Sequence, residues 1–219
     1  MERNQIICGE ASQILAQFPS NAIDLVVTDP PYLINYKDRN GRTLENDDNP
    51  QAVLNVYPEI ARVMKPDSYC VSFYGWSSID LFSNAWKRSG LRVIGHLVWP
   101  KRYASNTGLF RYSHEAAYVL AKGYPPRPNI RLSDTQEWIY SGNHFHPTEK
   151  SVRILDPLIN AFSNSGDIVL DPFSGSGSTV IAAANNGRSY IGIELNPTYC
   201  NIAKRRLMEE KDDPFSKAA

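Results

Sequence analysis

Short apolar runs alternate along the chain with segments whose apolar residues recur at helical spacing. "QIIC" (5–8) reads as a strand, and "EASQILAQF" (10–18) as a helix that stops at Pro19. "AIDLVVTD" (22–29) is a strand that ends at an Asp-Pro-Pro. "QAVLNVYPEIARVM" (51–64) reads as helix, with Pro58 inside it to bend or shorten it. "SYCVSFYG" (68–75) is a strand, and "SIDLFSNAWKRSG" (78–90) a helix closed by a glycine. "LRVIGHLVWP" (91–100) and "HEAAYVLAK" (114–122) are candidate strands. "TEKSVRILDPLINAF" (148–162) is a helix with an internal proline. "DIVLD" (167–171), "STVIAAANNG" (178–187) and "SYIGIEL" (189–195) give strand, helix and strand. "PTYCNIAKRRLMEE" (197–210) closes the series as a helix with Pro197 at its start. This alternation predicts an α/β protein with a parallel sheet covered on both faces. Two segments break the rhythm: 37–50, polar and glycine-bearing, and 123–147, rich in proline and aromatics.

Composition narrows the class. The length of 219 residues fits one domain with a small insertion. Formal net charge is zero, so an acidic partner must be met by a local patch. The N-terminal stretch lacks the apolar run of a signal peptide, and no run could span a bilayer. The three cysteines, Cys8, Cys70 and Cys200, show neither zinc spacing nor a disulfide framework. The expectation is a cytoplasmic protein with reduced thiols, no metal and no membrane partner.

"IVLDPFSGSGST" (168–179) is a strand, a glycine-rich turn and a helix start, an arrangement that lets backbone approach a ligand. No lysine follows Gly177, so it is not a P-loop, and Val180 stands where GxGxxG requires its last glycine. The next strand ends in Glu194, about twenty positions on, where an acid can accept from both hydroxyls of a ribose. Together they suggest a nucleoside ligand without demanding phosphates. Gly175 and Gly177 alone would suit any tight turn; Glu194 tips the balance.

"DPPY" (29–32) stands at the end of another strand. Proline fixes φ and removes an N–H, so the turn is rigid and presents carbonyls. A planar amino group needs two acceptors, and Asp29 and the Pro30 carbonyl can supply them. Pro31 stiffens the turn, and Tyr32 can stack on a ring. A nucleobase held this way has left the duplex stack.

With these residues in view, the sequence closely resembles the DNA amino-methyltransferases that use S-adenosylmethionine. "DPPY" looks like their catalytic motif, which implies catalytic roles for Asp29, Pro30, Pro31 and Tyr32. "DPFSGSGST" (171–179) is similar to their cofactor motif, with Asp171, Phe173, Gly175 and Gly177 in place, and Glu194 follows as ribose acid. "HPTEKS" (146–151) resembles the motif that closes over the methionine part of the cofactor, where Thr148 and Lys150 match. The order, catalytic motif first, is that of the family's beta group. It implies a doubly wound, mostly parallel, seven-stranded Rossmann-like sheet, circularly permuted, with strand 5–8 beside the strand ending at Glu194. The family's "GD" after the first strand is here Gly9-Glu10, with Glu10 as the expected contact to the cofactor's adenine, and its closing motif ends in Ser151 rather than proline.

The implied reaction is transfer of a methyl group to adenine N6 in double-stranded DNA. The rival is cytosine N4, and a rival of another class is a non-catalytic nucleotide-binding subunit that binds DNA. Asp29 rather than serine resembles the adenine members. Between 101 and 131 the basic residues Lys101, Arg102, Arg111, Lys122, Arg127 and Arg131 meet one acid, Glu115, with Tyr103, Phe110, Tyr112 and Tyr124 interleaved. From composition alone this stretch suits a solvated surface equally well; the resemblance tips it toward DNA, with Lys101, Arg102, Arg111, Arg127 and Arg131 as the implied phosphate contacts. Segment 123–145 occupies the target-recognition position. Its shortness suggests that it reads few base pairs or needs a second subunit, as in a homodimer, and the family implies an enzyme that acts alone or with a cognate restriction enzyme.

Overall fold

The computed structural model describes residues 1–37, 41, 43–104, 106–107, 109–128 and 130–212. The strands are β1 Gln5–Cys8, β2 Ile23–Thr28, β3 Met64–Phe73, β4 Arg92–Pro100, β5 Asn106–Thr107, β6 Arg111–Tyr112, β7 His114–Lys122, β8 Ile168–Asp171 and β9 Ser189–Glu194. The α-helices are α1 Ala11–Leu15, α2 Pro50–Leu54, α3 Val56–Val63, α4 Ile79–Arg88, α5 Val152–Phe162, α6 Ser178–Asn185 and α7 Pro197–Asp212. Seven strands form one sheet in the order β1-β9-β8-β2-β3-β7-β4. The first five are parallel neighbours, and β7 runs antiparallel to both β3 and β4. β1 lies beside β9 with Cys8 opposite Glu194, as the permuted order requires.

The inner strands are apolar on both sides because both sides are covered. Leu25 and Val27 of β2 join Val71 and Val169 in a core under α5, α6 and α7. Val26 joins Cys70 and Leu170 in a second core under α1, α3 and α4. Successive residues thus feed opposite cores, the period-2 rule applied to a sheet buried twice. Among the described residues no helix is long and apolar enough to cross a membrane.

Several local features differ from the sequence reading, beginning with the helices read at 10–18 and 148–162, which are Ala11–Leu15 and Val152–Phe162. The helix expected at 51–64 is two, because the chain breaks at Asn55 between α2 and α3. Pro58 then falls in the first turn of α3, where its missing N–H costs no helical bond. β3 begins at Met64 rather than 68, directly after α3. The hairpin β5–β6 was not expected, since strands of two residues carry no periodicity.

Candidate active site

The carboxyl ends of β1, β2, β8 and β9 open on one cleft of about 420 Å³. This is the end of an open α/β sheet at which ligands bind. Asp29, Pro30, Pro31 and Tyr32 line one side of it, and Gly175 and Glu194 the other. The proline turn and the glycine turn, about 140 positions apart in sequence, thus face one cleft.

The turn after β2 is held from two directions. A Cβ at Gly75, just beyond β3, would stand 2.5 Å from the Tyr32 carbonyl oxygen, so only glycine lets the two strand ends meet. From the other side Asp47, 2% exposed, receives the backbone N–H groups of Leu33 (2.7 Å), Ile34 (3.3 Å) and Tyr36 (2.6 Å). Leu33 and Asn35 have left-handed φ of 61° and 53°, which is how successive N–H groups converge on one carboxylate. Sequence reasoning missed Asp47. Its only signal was an acidic cluster in a loop that follows the catalytic turn.

Asp29 lies within a buried charge network. Lys150 Nζ donates to Asp29 Oδ2 at 2.8 Å and to Tyr32 Oη at 3.2 Å. The Tyr32 hydroxyl lies 2.9 Å from Asp29 Oδ1 and 3.2 Å from Glu115 Oε2. Lys101 Nζ donates to Glu115 Oε1 at 2.7 Å. Burial pushes the Asp29 carboxyl above its usual range, against the pull of Lys150. Burial would raise Glu115 as well, yet the Lys150 and Lys101 ammonium groups hold it below the usual range. Lys150 is held up by the two carboxylates although burial alone would lower it.

The network bears on two sequence expectations. Lys101 is not a surface contact for phosphate: its side chain is 3% exposed and is spent on Glu115. Lys150, expected over the cofactor's methionine part, lines the cleft and has its ammonium on Asp29. Glu115, at the start of β7, was legible only as the single acid in a basic stretch.

On the nucleoside side, the Gly175 N–H donates to Glu194 Oε2 and the Asn196 N–H to Oε1, each at 2.8 Å. Burial raises the Glu194 carboxyl. Gly177 caps α6 with φ +91°, and a Cβ there would stand 2.9 Å from the Ala203 Cβ of α7. Asp171 is 2% exposed and accepts from the Phe173 N–H at 3.0 Å. Glu10 lines the cleft, but its carboxylate caps α1, accepting from Ser12 N–H (3.0 Å), Ser12 Oγ–H (2.7 Å) and Gln13 N–H (2.9 Å). Thr148 also lines the cleft, its Oγ1 3.2 Å from His146 Nδ1. Ser151 precedes α5 without a side-chain capping bond.

The basic candidates divide. Arg102 and Arg111 are exposed near the catalytic end, where Lys101 and Glu115 join the two stems of the β5–β6 excursion. Leu109 and Phe110 at its tip are 85% and 66% exposed, and Trp76 stacks on Tyr112 at 5.1 Å. Arg127 and Arg131 are exposed too. Arg127 follows Pro126, whose carbonyl receives the Tyr69 hydroxyl, several residues back along β3 from the catalytic end. Lys122 donates to Asn21 Oδ1 and the Met64 carbonyl at the opposite end of the sheet.

A DNA methylase family model matches residues 23–205. The chain is 48% identical to the putative methylase YubD of Escherichia coli over 204 residues, covering 93% of this chain and 90% of that protein. It is 31% identical to the type II methyltransferase M.HpaI of Haemophilus parainfluenzae over 248 residues, covering 94% and 74%. It is 29% identical to the DNA adenine methyltransferase YhdJ of Escherichia coli over 248 residues, covering 94% and 83%. Among solved structures, the M1.HpyAVI–SAM complex matches with a TM-score of 0.75 at 26% identity, covering 93% and 98%. The cytosine-N4-specific PvuII DNA methyltransferase matches at 0.77 with 17% identity, covering 94% and 86%, a likeness of fold alone.

Proposed function

The chain belongs to the DNA methylase family, and from that membership we propose that it methylates the exocyclic N6 of an adenine flipped out of double-stranded DNA. One observation carries the reading: Asp29 and Glu194 face a single cleft, one beside the rigid proline turn and the other beside the glycine turn. Asp29 at the head of that turn and the likeness to YhdJ favour adenine over cytosine. The likeness to M.HpaI, a type II methyltransferase, supports a pairing with a restriction enzyme.

S-adenosylmethionine, the cofactor, supplies a methyl group activated on a sulfonium, so the reaction needs no metal. The cleft fits it in size, lying within the roughly 300–1,000 Å³ of small-molecule sites. The chemistry of the donor set fits as well. Both Glu194 oxygens keep a lone pair after their backbone bonds, enough to accept from two ribose hydroxyls.

The chain's own groups prepare the nitrogen. An exocyclic amine is a poor nucleophile because its lone pair is delocalised into the ring. Asp29 and the Pro30 carbonyl accept its two hydrogens, localise the pair and stabilise the positive charge that develops. The proline turn fixes both acceptors in advance, so little is spent on ordering them. A carboxylate whose proton affinity burial has raised is suited to take the proton the methylated nitrogen sheds. DNA meets the surface around Arg102, Arg111 and the apolar hairpin tip, and segment 123–145 adds the target-recognition contacts. Aromatic and apolar groups beside basic ones suit a displaced base and its phosphates.

The test is to express the protein in a host without DNA methylation and sequence the DNA for modified bases. N6-methyladenine in a fixed context is expected. N4-methylcytosine would move the assignment to the other amino base, and unmodified DNA would overturn the reading.

A further inference from the structure

Both donors on Asp29 have a second acceptor within reach, and it is the same atom. Lys150 Nζ lies 2.8 Å from Asp29 Oδ2 and 3.9 Å from Glu115 Oε2. The Tyr32 hydroxyl lies 2.9 Å from Asp29 Oδ1 and 3.2 Å from Glu115 Oε2. One hydroxyl proton serves only one acceptor at a time, so Tyr32 chooses between the two carboxylates. As the network stands, each oxygen of Asp29 has a donor on it. An ammonium sits where the target amino group must come.

Resting on the methylase reading, we propose that Glu115 is a positioning residue: it takes over Lys150 and Tyr32 when the target amine displaces them from Asp29. The geometry prepares it for that role. Lys101, itself buried, holds Oε1 at 2.7 Å and so fixes the carboxylate on its strand, leaving Oε2 aimed at the two donors. Lys150 is 8% exposed in its side chain and is walled by the rings of Phe73 (5.0 Å) and Tyr32 (5.4 Å). Its charge therefore cannot retreat into water when Asp29 is claimed; it needs another anion, and Glu115 is beside it. A buried ammonium stripped of its counter-ion would oppose docking of the base, because an uncompensated buried charge is costly. In the exchange the hydrogen bonds balance. The amine gives its hydrogens to Asp29 and the Pro30 carbonyl, while Lys150 and Tyr32 shift theirs from Asp29 to Glu115.

The variant Glu115→Gln keeps the shape and removes the charge, so it should leave Lys150 and Tyr32 on Asp29. Four quantities are measured on a duplex carrying the context found by sequencing: cofactor affinity by calorimetry, DNA affinity by a binding isotherm, steady-state turnover, and fluorescence of a base analogue at the target position. Cofactor affinity and DNA affinity should stay at wild-type values. Turnover should fall roughly 10- to 100-fold, the worth of a charge-assisted hydrogen bond. The fluorescence rise that reports a docked, unstacked base should shrink with it. Glu115→Asp keeps the charge but draws it back, and should restore part of both signals. If Glu115→Gln does not fold, Glu115→Asp, which keeps the charge opposite Lys101, carries the comparison with wild type alone. Turnover and fluorescence equal to wild type in the folded variant overturn the proposal. A wild-type protein that methylates no DNA would instead overturn the methylase reading, and this inference would fall with it.

Discussion

The backbone N–H of Gly175 donates to Glu194 Oε2 at 2.8 Å, so the glycine turn and the acid at the end of β9 form one unit. Replacing Glu194 with alanine strands two N–H groups as well as removing the proposed ribose acceptor. Cofactor affinity should fall by about 1.5–3 kcal/mol per lost charged hydrogen bond. The melting temperature should fall too, because two half-buried donors lose their partner. Glu194→Gln should not rescue, since its amide –NH2 would face one of the two N–H donors. Calorimetry with S-adenosylmethionine and a thermal melt read both effects. Unchanged affinity would mean that Glu194 holds the turn and not the ligand.

That unit was legible in the sequence because its parts are local: a strand, a turn that needs glycine, and an acid at the next strand's end. The proline turn at 29–32 was legible for the same reason, and so was the alternation that sets the parallel half of the sheet. What escaped was depth and long-range pairing. Lys101 and Arg102 are neighbours in sequence, yet one is buried on Glu115 and the other exposed. Charge composition cannot tell them apart. Glu10 reads as a ligand for the nucleoside; in the fold it lines the cleft while its carboxylate also caps α1, a contact no local pattern announces. Asp47 and Glu115 act on the turn from 14 and 83 positions away, beyond any local pattern.

Asp29→Ala should abolish methyl transfer, a fall of at least roughly 100- to 1,000-fold, while cofactor affinity stays close to wild type. The fold should tolerate the change, since Glu115 remains to balance Lys150. Turnover should also have an acid limb. The working form is the carboxylate, so activity is lost as pH falls through the Asp29 pKa. Burial places that limb above the ordinary carboxylate range, against the pull of Lys150. A tritium-transfer assay across pH reads both. Turnover by Asp29→Ala at the wild-type rate would remove Asp29 from the chemistry.

Asp47→Ala tests whether the turn is held from outside. Three backbone donors, on Leu33, Ile34 and Tyr36, lose their acceptor. Left-handed φ at Leu33 and Asn35 then loses the carboxylate on which the N–H groups converge. Stability should drop by about 1–3 kcal/mol, read by urea denaturation. Limited proteolysis should find a new cut between Leu33 and Tyr36. Turnover should fall although no atom of Asp47 need touch the base. A variant as stable and as protease-resistant as wild type would show that Tyr32 and Gly75 alone define the turn.

Asp171 should couple stability to pH. Burial pushes its carboxyl up to about 7, even though Thr179 and the Phe173 N–H pull it down. Unfolded, it titrates near 3.9. Between about pH 4 and about pH 7 the folded state therefore holds a proton that the unfolded state has lost, so this group's contribution falls as pH rises and is flat above. In Asp171→Asn that slope disappears. The gap in denaturant midpoint between variant and wild type should change from about pH 5 to about pH 8, in favour of the variant at the higher pH. A constant gap would place Asp171 as an ordinary carboxylate that is charged throughout.

The last prediction separates the basic residues by where the fold puts them. Arg102, at the stem beside Lys101, and Arg111, next to the exposed tip, both belong to the hairpin excursion. Arg127 lies back along the sheet beside the Tyr69–Pro126 hydrogen bond. If phosphates cross the catalytic end, replacing Arg102 and Arg111 with alanine should weaken binding to all duplexes. The salt dependence should then flatten by about one unit of slope per lost contact. Replacing Arg127 and Arg131 should flatten it less, or else relax sequence preference by about 1–3 kcal/mol at one position if either arginine reads guanine through its fork. Lys101→Met serves as the internal control. Its ammonium is spent on Glu115, so the slope should stay at the wild-type value while turnover changes. Isotherms at several salt concentrations, on the methylated context and on a scrambled duplex, give all three numbers. A slope that falls with Lys101 and not with Arg102 and Arg111 would mean that DNA does not approach over the hairpin, and the path would have to be sought along segment 123–145.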